Sequence, residues 1–138
     1  MAENHALKRQ EMVREQLIRR GIDDQRVLDA FARVKRHLYV PEDQRPKAYE
    51  DSPLAIGANQ TISQPYVVAY ILAELGLNGT ERILEIGTGS GYQAAVLSKL
   101  VSHVYTIEII EELGQRTKKL LTDMKYQNIS VKIGDGYL

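Results

Sequence analysis

The chain has 138 residues, with 18 basic and 18 acidic side chains, three histidines and no cysteine. This length fits one domain with a sizeable core, and the charge balance excludes the basic surface typical of a nucleic-acid-binding protein. The absence of cysteine excludes disulfides and thiolate metal sites, and the histidines lack ligand spacing, so no metal site is predicted. The N-terminus has no secretory signal, and no apolar run is long enough for a bilayer. We therefore expect a cytoplasmic protein without a membrane partner.

Three helices are predicted in the first 76 residues. A charged helix covers residues 6–20, and a second helix covers 22–34 with Asp23 or Asp24 as its N-cap. Three prolines between residues 39 and 57 predict an irregular segment. A third helix follows Pro65. Its apolar residues form one predicted stripe: Val67, Val68, Ile71, Leu72 and Leu75.

From Leu77 onwards, predicted strands alternate with predicted helices. The strands are RILEIG, VYTIEI and ISVKIGDG, and the helices between them are YQAAVLSKLV and EELGQRTKKLLTDM. This alternation predicts an α/β fold with a parallel sheet and right-handed crossovers.

The polar stretch QTISQP, residues 60–65, precedes the third helix. Taken alone, it favours a helix start, because Ser63 can accept hydrogen bonds from the first free N–H groups and Pro65 suits the first turn. This interpretation leaves the two glutamines and the second hydroxyl without a purpose.

A glycine loop, LEIGTGSGY, joins the first strand of the sheet to the following helix. In an open α/β sheet, ligands bind beyond the carboxyl ends of the strands, where this loop lies. The dinucleotide fingerprint needs glycine or alanine at the position of Tyr92, and Glu85 would repel a pyrophosphate. A ligand that carries an ammonium and a sulfonium, such as S-adenosylmethionine, would instead be attracted.

Two further acidic residues end the next two strands. Glu108 is suited to accept hydrogen bonds from both hydroxyls of a ribose, whether in NAD or in S-adenosylmethionine. Asp135 is suited to accept from an adenine amino group. With Glu85, they predict an adenosine-ligand site across three strand ends.

These motifs resemble the protein-L-isoaspartate O-methyltransferase family, most specifically in AYEDSPLAIGANQTISQP and next in LEIGTGSGYQAAVL. The resemblance implies a Rossmann-like fold that binds S-adenosylmethionine, with Ser63 as the active-site serine. It implies these cofactor-binding residues: Gln60, Thr61, Ile62 and Ser63 in the wall, Glu85 at the methionine end, Gly87, Thr88, Gly89 and Gly91 in the loop, Glu108 at the ribose, and Asp135 with Gly136 at the adenine. Val68 matches a contacting position with a different side chain, so we discount it.

By the same resemblance, the reaction is methyl transfer to the free α-carboxylate of isoaspartyl residues in damaged proteins. Residues 1–138 would form a single, C-terminally incomplete domain, with 1–76 as helices and wall and 77–138 as three strand–helix units. Only the first half of the usual sheet is then present. A full-length form would be a monomer, whereas the exposed edge strand of this chain favours self-association.

Three alternatives stay open. The glycine loop also fits another methyltransferase that uses S-adenosylmethionine. A nicotinamide oxidoreductase is disfavoured by Tyr92 and Glu85. The third is a non-catalytic or oligomerising fragment of the fold.

Overall fold

The computed structural model describes residues 4–136, and its first half is mainly helical. Helix α1 is followed without a break by a π-helical segment, and α2 by two short 3₁₀ segments; a two-stranded hairpin then leads into α3. The bounds are α1 His5–Glu11, the π-helix Met12–Ile18, α2 Gln25–Arg33, the 3₁₀ segments Arg36–Tyr39 and Glu42–Lys47, β1 Leu54–Gly57, β2 Gln60–Ile62 and α3 Pro65–Glu74.

The second half alternates strands and helices as predicted. Its elements are β3 Arg82–Ile86, α4 Tyr92–Ser98, β4 His103–Glu108, α5 Glu111–Asp123 and β5 Ile129–Ile133. The three strands form a parallel sheet in the order β3-β4-β5. Their carboxyl ends therefore lie along one edge, where the sequence predicts a ligand site.

The first two predicted helices are present, but the prediction missed a change of helix type in the first one. The predicted helix over 6–20 changes to π-helical hydrogen bonding at Met12, which the prediction missed. Met12 and Leu17 are both buried, and an i→i+5 arrangement suits this spacing of five. Asp24 caps α2 as expected, since its side chain accepts from the backbone N–H groups of Arg26 and Val27.

The stretch before α3 contains the second strand of a hairpin, and Pro65 begins the helix as predicted. Gly57 pairs with Gln60, and the two turn residues Ala58 and Asn59 have φ of 52° and 56°, as in the type I′ turns that suit two-residue hairpins. Helix α3 begins at Pro65, and its N-cap residue makes no side-chain capping bond. The interpretation of Ser63 as a helix cap was therefore wrong.

Tyr92 joins the two halves of the molecule. Its ring is buried and lies edge-on to Phe31 of α2 and to Tyr39, at centroid distances of 6.0 and 5.7 Å. The side chain that departs from the dinucleotide fingerprint is therefore directed into the N-terminal helices. As a result, the start of α4 packs against α2 and the first 3₁₀ segment.

Apolar side chains are exposed on two elements of the described chain, α3 and β3. Val67 and Ile71 of α3 are exposed, and so is its C-cap residue Leu75. The predicted single stripe was therefore wrong, because only Val68 and Leu72 of it are buried. Strand β3 pairs only with β4 among residues 4–136, and its Leu84 and Ile86 are 65% and 61% exposed. Within the same residues, no helix is long and apolar enough to span a membrane.

Candidate functional site

The glycine loop is tied to β4 by its backbone. The N–H groups of Gly87 and Thr88 both donate to the carbonyl of Ile107, at 2.8 and 3.2 Å. Gly91, with φ of 86°, packs so closely on α5 that an added Cβ would lie 2.7 Å from Cγ2 of Thr117. Glycine is therefore required there both by conformation and by space.

Glu85 is buried near this loop, and within residues 4–136 it accepts hydrogen bonds from side chains only. Oγ1 of Thr106 donates to one carboxylate oxygen at 2.6 Å, and Nε2 of Gln93 donates to the other at 3.0 Å. The hydroxyls of Thr88 and Thr106 are also hydrogen bonded, at 2.6 Å. Burial, with a smaller contribution from the charge of Glu108, raises the pKa of Glu85 to about 7, although its two hydrogen bonds act in the opposite direction.

Glu108 is buried at the end of β4, and its carboxylate holds the glycine loop. One oxygen accepts from the N–H of Gly89 at 2.8 Å, and the other accepts from the N–H of Ile110 at 3.1 Å. A carboxylate has about four acceptor positions, so it retains capacity for further donors such as ribose hydroxyls.

Asp135 and Gly136 follow the carboxyl end of β5, as predicted. An added Cβ at Gly136 would lie 3.2 Å from two atoms of Ile86, so the chain after β5 passes over the end of β3. The carboxyl ends of all three strands thus carry an acidic residue beside the glycine loop, in Glu85, Glu108 and Asp135.

A cavity of about 100 Å³ lies between the glycine loop, the hairpin and α3. Its lining combines seven predicted residues with four others: Thr61, Ile62, Ser63, Val68, Glu85, Gly87, Thr88, Gly89, Ser90, Tyr92 and Gln93. The predicted residues Gln60, Gly91, Glu108, Asp135 and Gly136 do not line it. Val68, which sequence reasoning discounted, does.

Ser63 lies exposed at the mouth of this cavity. Its hydroxyl makes no hydrogen bond within residues 4–136, whereas its carbonyl accepts from Nη2 of Arg36 at 2.8 Å. The serine is therefore held by its backbone, with its hydroxyl available to a ligand.

A second cavity, of about 350 Å³, lies between α5 and the first 3₁₀ segment. It shares only Ser90 with the smaller cavity, and contains none of the predicted acidic residues. Chemistry rather than volume therefore favours the smaller cavity as the candidate site.

Comparison with known families decides the assignment. The sequence profile of the protein-L-isoaspartate(D-aspartate) O-methyltransferase family matches residues 7–138. The chain belongs to this family. It is 54% identical over 136 residues to protein-L-isoaspartate O-methyltransferase 2 of Shewanella sediminis, covering 99% of this chain and 56% of that relative.

Solved structures of the same family share the fold. One protein-L-isoaspartate O-methyltransferase superposes with a TM-score of 0.82 at 28% identity, over 94% of this chain and 43% of that one. A Plasmodium falciparum protein of this description, in complex with S-adenosyl-L-homocysteine, superposes with a TM-score of 0.74 at 27% sequence identity. The match covers 94% of this chain and 62% of that one. The α/β fold and the family resemblance are thereby confirmed, and the chain spans little more than half the length of its S. sediminis relative.

Sequence reasoning missed several polar residues of the candidate site. Gln93 and Thr106 fix Glu85, and Arg36 fixes Ser63. Gln93 follows the glycine loop closely enough to have been considered. Thr106 and Arg36 lie on other elements, and only the folded chain brings them to the site.

Proposed function

We propose that this chain contains the cofactor site and part of the substrate site of a protein-L-isoaspartate O-methyltransferase. The reaction is transfer of a methyl group from S-adenosylmethionine to the free α-carboxylate of isoaspartyl residues in damaged proteins and peptides. The observation that carries the proposal is that Ser63, with an uncommitted hydroxyl, and buried Glu85 line the same cavity beside the glycine loop.

The residues of the candidate site fit S-adenosylmethionine. When bound, this molecule supplies an electrophilic methyl group on a sulfonium. Glu85 would hold its ammonium, the loop from Gly87 to Gly91 would lie against its amino-acid part, and Glu108 and Asp135 would face its adenosine. The cavity of about 100 Å³ is smaller than the roughly 300–1,000 Å³ of typical ligand pockets, so the adenosine would lie along the open strand ends.

Ser63 would orient the substrate carboxylate. A carboxylate is already ionised near neutral pH and needs no general base. In-line attack on a methyl group depends mainly on positioning, which a hydroxyl donor can supply. Within residues 4–136, the Ser63 hydroxyl donates to no histidine or carboxylate that could activate it, so its role is that of a hydrogen-bond donor to the substrate and not of a covalent nucleophile.

The test is methyl transfer from labelled S-adenosylmethionine to an isoaspartyl peptide, with the matching aspartyl peptide as control. Base-labile label on the isoaspartyl peptide alone would support the proposal. Label on neither peptide would refute activity of these 138 residues. Binding of S-adenosylhomocysteine, compared with binding of NAD, tests the cofactor separately.

The proposal also includes the domain organisation, the location and the partners of the protein. Residues 1–76 and 77–138 form one methyltransferase domain, because Tyr92 packs the second part on the first. The protein works in the cytoplasm, without a nucleic-acid or membrane partner.

A second candidate property is self-association through β3. The open edge of this strand and the exposed side chains of Leu84 and Ile86 favour pairing with a second copy of the chain. A longer chain with a strand beside β3 would be monomeric. The solution mass of the 138-residue chain tests this property.

A further inference from the structure

Arg36 is a buried arginine that joins two chain segments. Its side chain is fully buried; Nε donates to the carbonyl of Ala48 at 2.6 Å, and Nη2 donates to the carbonyl of Ser63 at 2.8 Å. These bonds span 12 and 27 residues of sequence. Arg36 therefore links the 3₁₀ region to the segment between β2 and α3.

The same guanidinium also contacts the start of α4. Its carbon Cζ lies 4.8 Å from the centroid of the buried Tyr92 ring, an arrangement typical of a cation–π contact. Tyr92 directly follows Gly91, the last glycine of the loop. One side chain thus contacts both the backbone of Ser63 and the residue that ends the glycine loop.

This cation is buried without an acidic partner. Among residues 4–136, no carboxylate lies within ion-pair distance of Arg36, and burial lowers its pKa. Removing a charge from water is costly, and two carbonyl dipoles and an aromatic face only partly offset that cost. A neutral side chain of similar volume would fill the same space, but it would not supply two directed donors.

We infer that Arg36 is a positioning residue that sets Ser63 in register with the glycine loop. It touches no ligand itself and acts through the Ser63 carbonyl and the Tyr92 ring. Its guanidinium contacts two residues that line the cavity, because it donates to the Ser63 carbonyl and lies over the Tyr92 ring. The kinetic consequence of this inference rests on the proposed function, whereas the structural consequence does not.

The test compares Arg36→Met with Arg26→Met in the full 138-residue chain. Arg26 is the control, because it also donates to two carbonyls, those of Leu77 at 2.5 Å and Leu100 at 2.9 Å, away from the cavity, although its own side chain is exposed. Hydrogen exchange is measured at the amides of residues 61–64. We expect about tenfold faster exchange there in Arg36→Met and no change in Arg26→Met.

The kinetic measurement separates positioning from general loss of stability. In Arg36→Met, we expect kcat for the isoaspartyl peptide to fall about 10- to 100-fold while the KM for S-adenosylmethionine changes little. Arg36→Lys keeps the charge and one donor, so its kcat should lie between those of the wild type and Arg36→Met. If Arg36→Met does not fold, Arg36→Lys is compared with Arg26→Lys in its place.

Unchanged exchange at residues 61–64 in the folded Arg36 variant would overturn the inference, and so would the same change in the Arg26 control. If the wild-type chain transfers no methyl group, these 138 residues are not active on their own, and the exchange measurement still decides the role of Arg36.

Discussion

Replacing Glu85 with glutamine should change how the stability of the protein depends on pH. The folded protein holds the Glu85 proton until about pH 7, whereas the unfolded chain releases it near the ordinary value of 4.5. Between these values the folded state binds more protons, so the free energy of unfolding falls as pH rises. Glutamine has a similar shape and does not titrate.

The size of this effect follows from the two pKa values. A difference of one pKa unit corresponds to about 1.4 kcal/mol, so the interval from 4.5 to about 7 corresponds to about 3 kcal/mol. Half-buried His37 acts in the opposite direction, because burial and neighbouring cations lower its pKa to about 4. Its contribution is common to both proteins and cancels in their difference.

The assay is urea unfolding of the wild type and of Glu85→Gln at several values between pH 4.5 and 7.5. We expect the stability of the wild type relative to the variant to fall by about 3 kcal/mol across this range, mostly below pH 7. A difference that stays constant with pH would refute the assignment of a raised pKa to Glu85. His37→Gln serves as the control, since it should change the slope with the opposite sign.

Three further substitutions have distinct expected results. Ser63→Ala should lower turnover about 10- to 100-fold with little effect on S-adenosylhomocysteine affinity, because a hydrogen bond to a charged group contributes about 1.5–3 kcal/mol; an unchanged rate contradicts the role. Leu84→Lys should reduce the solution mass of the chain towards that of a monomer, while the exposed control Leu7→Lys should not. Gly91→Ala should destabilise the fold by about 2–4 kcal/mol in urea unfolding, because of its positive φ and the contact with Thr117; a loss below about 1 kcal/mol contradicts that reasoning.

The parallel sheet could be predicted because its signals are local. Each strand is a short apolar run with β-branched residues, and a glycine follows the first and the third of them, so the alternation of strands and helices was correct from Leu77 onwards. The cap at Asp24 was also predictable, because a carboxylate just before an apolar periodic run can satisfy only its nearest N–H groups.

The hairpin and the π-helical segment were not predictable by the same rules. The two turn residues of the hairpin, Ala58 and Asn59, adopt positive φ although neither is a glycine. The Asn-Gly or Asp-Gly pair that usually indicates such a turn is therefore absent. The apolar residues of α3 show helical spacing on two faces, and only the packing decides that Val68 is buried while Val67 is exposed. Arg36 reaches Ser63 across 27 residues, a contact that no local pattern encodes.

The two buried carboxylates of the site differ in what surrounds them, and this difference bears on the ligand. Glu108 accepts from two backbone N–H groups, whereas Glu85 accepts from a hydroxyl and an amide side chain only. Because these donors do not offset burial, the neutral form of Glu85 persists to about pH 7. A ligand ammonium in the cavity would favour the charged form, so by linkage its binding and the ionisation of Glu85 reinforce each other. A pyrophosphate would have the opposite effect, which is the physical reason to expect a cationic ligand beside this glycine loop.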